Sequence, residues 1–196
     1  MTASRLERQI AFIIELDKMK NIFRKTKVLG TDRHENDAEH TWHLALMAIV
    51  LAEHANVPEL DLTRVVKMLL IHDVVEIDAG DTFAYDVKGH EDKAEREQMA
   101  ADRLFGMLPE EQRDELMALW HEFEANETPE ARFALALDRL HPMLLNFHNN
   151  GQSWRENGIT HDRVLARNSV IENGSEALWA YAKRMVEEAL AKGILS

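Results

Sequence analysis

Hydrophobic residues recur at intervals of three and four along most of this chain, the spacing of amphipathic helices. Glycine and proline are sparse, and the alternating pattern typical of strands is absent. We therefore predict an all-α fold, a compact single-domain bundle of about six to eight helices over residues 1–196. The predicted helices cover 4–23, 37–55, 62–77, 90–107, 109–124 and 129–146, a stretch that starts near 160 and breaks at 173–174, and 175–192.

The segments between these helices are polar. Residues 24–36 form a predicted loop, after which Asp37 is the expected N-cap of the second helix. That helix is apolar nearly all round from 44 to 51, which indicates a buried central element. Residues 78–89 are acidic and contain two glycines, so we expect them to be irregular.

The charge balance narrows the possible functions. Lysine and arginine total 23 against 35 aspartates and glutamates, which gives a formal net charge of −12. An acidic surface repels polyanions, so a duplex nucleic-acid partner is not expected. A small phosphate ester is not excluded, because it needs only a local cation. There are no cysteines, so any metal must be bound by nitrogen and oxygen ligands, which ten histidines can help to supply.

No segment has the composition of a membrane span. The longest uninterrupted apolar run is 44–52, whereas a spanning helix needs roughly twenty such residues. The first residues lack the apolar core of a signal peptide. We therefore expect no membrane contact and a cytoplasmic location.

Titratable groups extend the apolar face of the third predicted helix. At helical spacing this face leads from leucine and valine positions to His72, Asp73 and Glu76. Burying a carboxylate without partners destabilises a protein by roughly several kcal/mol. These groups therefore need protons, hydrogen bonds or a metal as compensation.

Two further helices repeat this anomaly. His40 precedes the apolar stripe of the second helix, and Asp138 interrupts the apolar run of the helix that begins near Pro129. A single inward histidine is more often a hydrogen-bonded core residue than a ligand, but three helices with inward ligands favour a metal site. His43, one turn after His40, is a less favoured alternative ligand. Six others are interpreted as surface or loop residues: His34, His54, His90, His121, His148 and His161.

These residues resemble the H…HD…D signature of the HD superfamily of metal-dependent phosphohydrolases. Within it, the chain is most similar to the branch that contains the 5′-deoxynucleotidases. The likeness rests on residues 35–40, 72–81 and 136–140, which occur in the order and spacing of the family's motifs. It implies the HD-domain fold for most of the chain.

The resemblance also implies a role for each matching residue. One divalent ion, among Mn, Co, Mg, Fe and Zn, would be bound by His40, His72, Asp73 and Asp138. Glu76 would handle a proton near the attacking water, Arg24 would bind the substrate phosphate, and Asp81 would contact the sugar. Lys25 departs from the pattern, since the deoxynucleotidases have an aromatic residue there that helps to exclude a 2′-hydroxyl.

The implied activity is release of phosphate from (deoxy)nucleoside 5′-monophosphates. Hydrolysis of another small phosphate or pyrophosphate ester is the first alternative, and a non-catalytic metal-binding sensor or scaffold is the second. We also expect a homodimer, partly from the resemblance and partly because the last helix has a broad apolar surface. That surface consists of Leu178, Trp179, Tyr181, Met185 and Val186.

Overall fold

A computed structural model describes residues 3–86, 88–89 and 91–195, and it is almost entirely helical. The α-helices are α1 (Arg5–Glu15), α2 (Asp37–Leu51), α3 (Leu62–Ile71), α4 (Glu76–Ala79), α5 (Lys93–Phe105), α6 (Glu110–Ala125), α7 (Pro129–His148), α8 (Gln152–Glu156), α9 (His161–Asn168), α10 (Ile171–Gly174) and α11 (Glu176–Ala191). Three 3₁₀ turns cover Leu16–Asn21, Ala52–His54 and His72–Val75. The predicted all-α class is therefore confirmed. The predicted start of a helix at His90 falls on a residue outside the described ranges.

The segment predicted as a loop contains a short hairpin instead. Strands β1 (Phe23–Lys27) and β2 (His34–Asn36) pair antiparallel, with Phe23 opposite Asn36 and Lys27 opposite His34. The prediction was wrong because these strands are short and polar, so they lack an apolar alternation. In β1 the exposed Lys25 alternates with the buried Thr26, which is the period of a strand.

The N-cap of α2 also differs from the prediction. Asn36, not Asp37, caps the helix, and its side chain accepts a hydrogen bond from the Glu39 N–H at 2.9 Å. The Glu39 carboxylate accepts in return from the Asn36 N–H at 3.2 Å, which completes a capping box. Because Asn36 satisfies the helix end, the side chain of Asp37 is free to turn into the protein, where it is fully buried.

The main hydrophobic core lies around α7, which packs against α2, α3, α10 and α11. A second cluster joins α5 to the 3₁₀ turn at 72–75 and to Trp120 of α6. The prediction that α2 is buried all round was wrong: Leu44 and Ala48 are buried, whereas Ile49 and Val50 are more than half exposed.

Most apolar residues of the last helix pack into the hydrophobic core of their own chain. Leu178, Trp179, Met185 and Val186 of α11 are buried, and Tyr181 is 44% exposed. The surface expected to support a dimer is therefore largely used internally.

Within the described residues, no helix is long and apolar enough to cross a membrane. The cytoplasmic location stays a prediction, as does the assignment of 1–196 to one domain.

Candidate metal centre and active site

Three separate elements bring the four predicted metal ligands together. His40 comes from the first turn of α2, His72 and Asp73 from the 3₁₀ turn after α3, and Asp138 from α7. The His40 Nε2 lies 3.0 Å from an Asp138 carboxylate oxygen, and the His72 Nε2 lies 3.8 Å from the same oxygen. Asp73 is 3.1 Å from the His72 Nε2 and 3.8 Å from the His40 Nε2.

The third predicted helix ends earlier than expected, and the difference shapes the site. The prediction extended it to Ile77, whereas α3 ends at Ile71 and the chain tightens into a 3₁₀ turn. His72 and Asp73 therefore lie in this turn and not in α3, and the Nε2 of His72 is 3.1 Å from an Asp73 carboxylate oxygen.

The hydrogen bonding of His72 fits a metal ligand. Its Nδ1 lies 2.9 Å from the Leu69 carbonyl oxygen, which requires a proton on Nδ1 and leaves the Nε2 lone pair for a ligand bond. That Nε2 is buried without a hydrogen-bond partner among the described residues. One donor atom each from His40, His72 and Asp73 lie within 4.8 Å of one another. Two imidazoles and two carboxylates therefore fit one divalent ion.

When no ion is bound, a protonated His72 offsets the negative charge of the neighbouring carboxylates. Burial alone would lower the pKa of its imidazole, but the carboxylates of Asp73 and Asp138 raise it to about 9. Burial would raise the pKa of the Asp138 carboxyl, but its hydrogen bond with His40 and the charge of the nearby His72 imidazole hold that pKa well below the usual range. The site thus favours positive charge between these carboxylates.

A second acidic group adjoins the ligands. Oxygen atoms of Asp37, Asp73 and Glu76 lie within 4.8 Å of one another. One carboxylate oxygen each of Asp37 and Glu76 is buried without a partner among the described residues. Burial and the charge of Asp73 raise the pKa of Asp37 to about 7, and the same causes raise that of Glu76 well above its usual value. Both groups can therefore hold a proton near neutral pH.

Arg24 from β1 lies against this acidic group. Its Nη1 donates to Asp73 at 2.7 Å and to Asp37 at 3.3 Å. The guanidinium is nearly buried, and the neighbouring carboxylates, with Asp73 first, outweigh burial and raise its pKa further. Sequence reasoning found Arg24 through the resemblance but missed Asp37. The capping-box pattern of Asn36 and Glu39 could have indicated that Asp37 is not the cap.

Two histidines and a glutamate lie behind the predicted metal ligands. The Nδ1 of His40 lies 3.0 Å from the Nδ1 of His141, and the Nε2 of His141 lies 2.9 Å from the Nδ1 of His43. Glu35 approaches the Nδ1 of His40 to 3.5 Å. His43 thus lies in an outer group with His141 rather than beside the four predicted ligands. His141, which sequence reasoning missed, helps to fix the ring orientation of His40.

The site opens into a cavity of about 350 Å³. His72, Asp73, Asp138 and Arg24 line one part of it, with Glu76, Asp81 and Lys25 nearby. Burial raises the pKa of Asp81, which therefore lies in the same shielded environment as the ligands. The structure brings all seven predicted site residues to this site, since His40 contacts the cavity-lining Asp138.

The C-terminal part of the chain also lines the cavity. Trp154, Ile159, Arg167 and Asn168 do so, together with Arg139 of α7. Trp154 is buried and also faces the cavity. Apart from Arg139, these residues lie outside the segments that match the family, so the resemblance gave no signal for them.

Residues 16–179 match the HD domain family, and the chain belongs to that family. A crystal structure from Magnetospirillum magnetotacticum, described as a predicted metal-dependent phosphohydrolase, is 52% identical with a TM-score of 0.94. The match covers 98% of this chain and 96% of that one. A Pyrococcus horikoshii protein, 20% identical over 92% of this chain and 97% of its own, has a TM-score of 0.64 and shows the shared fold.

The curated relatives are 5′-deoxynucleotidases. The human protein HDDC2 is 34% identical over 115 residues, which is 59% of this chain and 54% of the human one. A Schizosaccharomyces pombe 5′-deoxynucleotidase is 23% identical over 79% of this chain and 83% of its own. The chain spans about half the length of most curated relatives it matches. The predicted resemblance to this family is confirmed, whereas the role of each site residue stays a prediction.

The first prediction concerns metal content. Asp73→Ala and His72→Ala each remove one donor of the group described above, so we expect both variants to lose bound metal and the stability linked to its binding. The measurement is elemental analysis beside thermal unfolding, with and without added metal. His121→Ala, an exposed histidine on α6, is the control and should keep its metal. Full occupancy in Asp73→Ala would contradict the assignment.

Proposed function

We propose that this protein is a metal-dependent phosphohydrolase that releases phosphate from phosphomonoesters, with (deoxy)nucleoside 5′-monophosphates as the substrate class. The observation that carries the proposal is the unpartnered, buried Nε2 of His72, which faces Asp73 and Asp138 in a cavity that also contains Arg24. The names of the human and Magnetospirillum relatives support it.

His40, His72, Asp73 and Asp138 would hold one divalent ion. When bound, such an ion supplies Lewis-acid activation of water and of a phosphoryl oxygen. The mixed nitrogen and oxygen donor set suits Mn, Co, Mg, Fe or Zn. The His141 contact with the Nδ1 of His40 would keep that ring oriented so that its Nε2 points to the ion.

Arg24 and Glu76 would act on the substrate directly. The planar guanidinium of Arg24 suits a phosphate group, and its bond to Asp73 fixes it beside the ligands. The raised pKa of Glu76 lets its unpartnered oxygen hold or transfer a proton during the reaction. Oxygen from water bonds to phosphorus as the P–O ester bond breaks, and the products are an alcohol and inorganic phosphate.

Asp81 and Lys25 would contact the sugar side of the substrate. Asp81 lines the cavity and can accept a hydrogen bond from a sugar hydroxyl. Lys25 lines it as well, with a long flexible side chain where the deoxynucleotidases have an aromatic residue. Weaker exclusion of a 2′-hydroxyl is the expected consequence, so ribonucleotides belong in any substrate panel.

The second prediction separates proton transfer from metal binding. Glu76→Ala should keep most of its metal but lower kcat by roughly 10²–10⁴-fold, the usual contribution of general acid–base catalysis. The measurements are elemental analysis and kcat for a nucleoside monophosphate at saturating metal. Glu95→Ala, an exposed glutamate on α5, is the control. If Glu76→Ala lost its metal as Asp73→Ala does, Glu76 would be a ligand and the proposed coordination would be wrong.

The third prediction assigns the phosphate and sugar contacts. Arg24→Ala should raise KM and lower kcat together, because the phosphate is bound in both the ground and transition states. Asp81→Ala should impair a nucleoside monophosphate while an aryl phosphate is hydrolysed as before. Both parameters are measured for the two substrates, with Lys27→Ala in the same strand as a control outside the cavity. An equal loss on the aryl phosphate in Asp81→Ala would contradict a sugar contact.

A homodimer is also proposed, through a surface other than the one first expected. Helix α1 exposes Leu6, Ile10, Ile13 and Ile14, and α2 exposes Trp42, Leu46, Ile49 and Val50. Each set follows the i, i+4, i+7, i+8 spacing of one helix face, and both helices pack against the 3₁₀ turn at 16–21. Exposed apolar surface of this extent is typical of an interface between protein chains.

The fourth prediction tests this assembly. Light scattering at micromolar concentration should give twice the chain mass of 22.6 kDa. Ile13→Glu combined with Val50→Glu should return the mass of one chain, since charges would then face an apolar partner. Tyr181→Glu, on the exposed side of α11, is the control and should leave the dimer intact. A wild-type mass near 22.6 kDa would contradict the proposal.

A further inference from the structure

Two arginines line the wall of the cavity formed by the C-terminal part of the chain. Arg139 follows Asp138 on α7, and Arg167 lies near the end of α9. Both line the cavity that contains the predicted metal ligands, together with Trp154 and Asn168. Burial and the positive charge of Arg139 lower the pKa of Arg167, and the charge of Asp138 partly offsets them.

Asp138 is an acidic group near both guanidiniums, since Arg139 is among the charges that lower the pKa of Asp138, and Asp138 opposes the lowering of the pKa of Arg167. Within 3–86, 88–89 and 91–195, however, neither arginine forms an ion pair, and the Nε of each is buried without a hydrogen-bond partner. Other arginines are paired: Arg24 with Asp73, Arg64 with Glu122 and Arg103 with Asp78. A chain with 35 acidic residues could have supplied a partner here as well.

Two partly buried cations without an ion-pair partner destabilise a folded protein. Each buried Nε–H without an acceptor gives up the hydrogen bonds that it would make with water, and two like charges beside one cavity repel each other. A ligand that offers oxygen acceptors removes both costs. The planar fork of an arginine matches phosphate and carboxylate groups with two parallel hydrogen bonds.

The phosphate to be cleaved does not account for this pair. Under the proposed function it lies between the metal ligands and Arg24, and Arg24 already contributes a guanidinium. A plain nucleoside monophosphate carries no other anionic group. The pair Arg139 and Arg167 therefore points to a further anion on the same substrate molecule.

We propose that Arg139 and Arg167 bind a second anionic group, phosphate or carboxylate, carried by the substrate at a distance from the phosphate that is cleaved. This inference rests on the proposed function and narrows its substrate class to phosphomonoesters with two anionic groups. The second group stays on the alcohol product when the P–O ester bond is hydrolysed.

The test compares substrates that differ by one anion. The first pair is a deoxynucleoside 5′-monophosphate and the matching 3′,5′-bisphosphate, and the second is phenyl phosphate and its ring-carboxylated derivative. Wild type should prefer the doubly anionic member of at least one pair, and the pair that shows the preference distinguishes phosphate from carboxylate. Arg139→Gln and Arg167→Gln should each reduce that preference in kcat/KM by roughly 10- to 100-fold, as for hydrogen bonds to charged groups.

Controls separate this effect from damage to the fold. Arg132→Gln, an exposed arginine on the same helix as Arg139, should leave the preference unchanged. The unfolding temperatures of Arg139→Gln and Arg167→Gln should equal or exceed that of wild type, because a repulsive pair is relieved. No preference in wild type, or an equal loss on both members of a pair, would overturn the inference.

Failure of the proposed function gives a different result. If the metal-loaded wild type hydrolyses none of the four esters, the proposed function is wrong. Calorimetric titration of the same esters into the same proteins then decides the anion site. Tighter binding of a doubly anionic ester that is lost in Arg167→Gln supports the site, and equal binding of both members of each pair contradicts it.

Discussion

The structure depends on one electrostatic constraint, the burial of several carboxylates at a single point. Asp37, Asp73, Glu76 and Asp138 converge with 12% or less of each side chain exposed, and Arg24 donates hydrogen bonds to Asp37 and Asp73. Carboxylates in a low-dielectric interior repel one another and cannot all stay ionised without cations. When no ion is bound, protons held by Asp37, Glu76 and His72 reduce the net negative charge of this group. The raised pKa values of these three residues indicate that they hold protons. A divalent ion held by the histidines, Asp73 and Asp138 would satisfy the same constraint with ligand bonds.

Local irregularities of the backbone make this convergence possible. The 3₁₀ turn at 72–75 carries His72 and Asp73, the Asn36 capping box frees Asp37 to turn inward, and the hairpin places Arg24 against Asp73. Helix α7 contributes two adjacent residues to the cavity, the predicted ligand Asp138 and Arg139 of the proposed anion site. The predicted metal centre and the proposed anion site therefore share one helix.

The sequence predicted the parts of the molecule that follow regular patterns. Helical periodicity gave the all-α class, and titratable residues on apolar faces indicated His40, His72, Asp73 and Asp138. The early end of α3 could not be read from periodicity, since the apolar spacing continues across the 3₁₀ turn. The roles of His141 and Arg167 depend on contacts between residues far apart in the chain, such as the His141 contact with His40. A single sequence carries no signal for such contacts.

Anomalous X-ray diffraction from crystals grown with Mn²⁺ tests the central claim most directly. The structure offers two neighbouring donor groups that share Asp73, one with His40 and His72 and the other with Asp37 and Glu76. The account predicts one anomalous peak within ligand-bond distance of the Nε2 atoms of His40 and His72, of Asp73 and of Asp138. A peak bound by Asp37, Asp73 and Glu76, with the His72 Nε2 left outside the coordination shell, would contradict it.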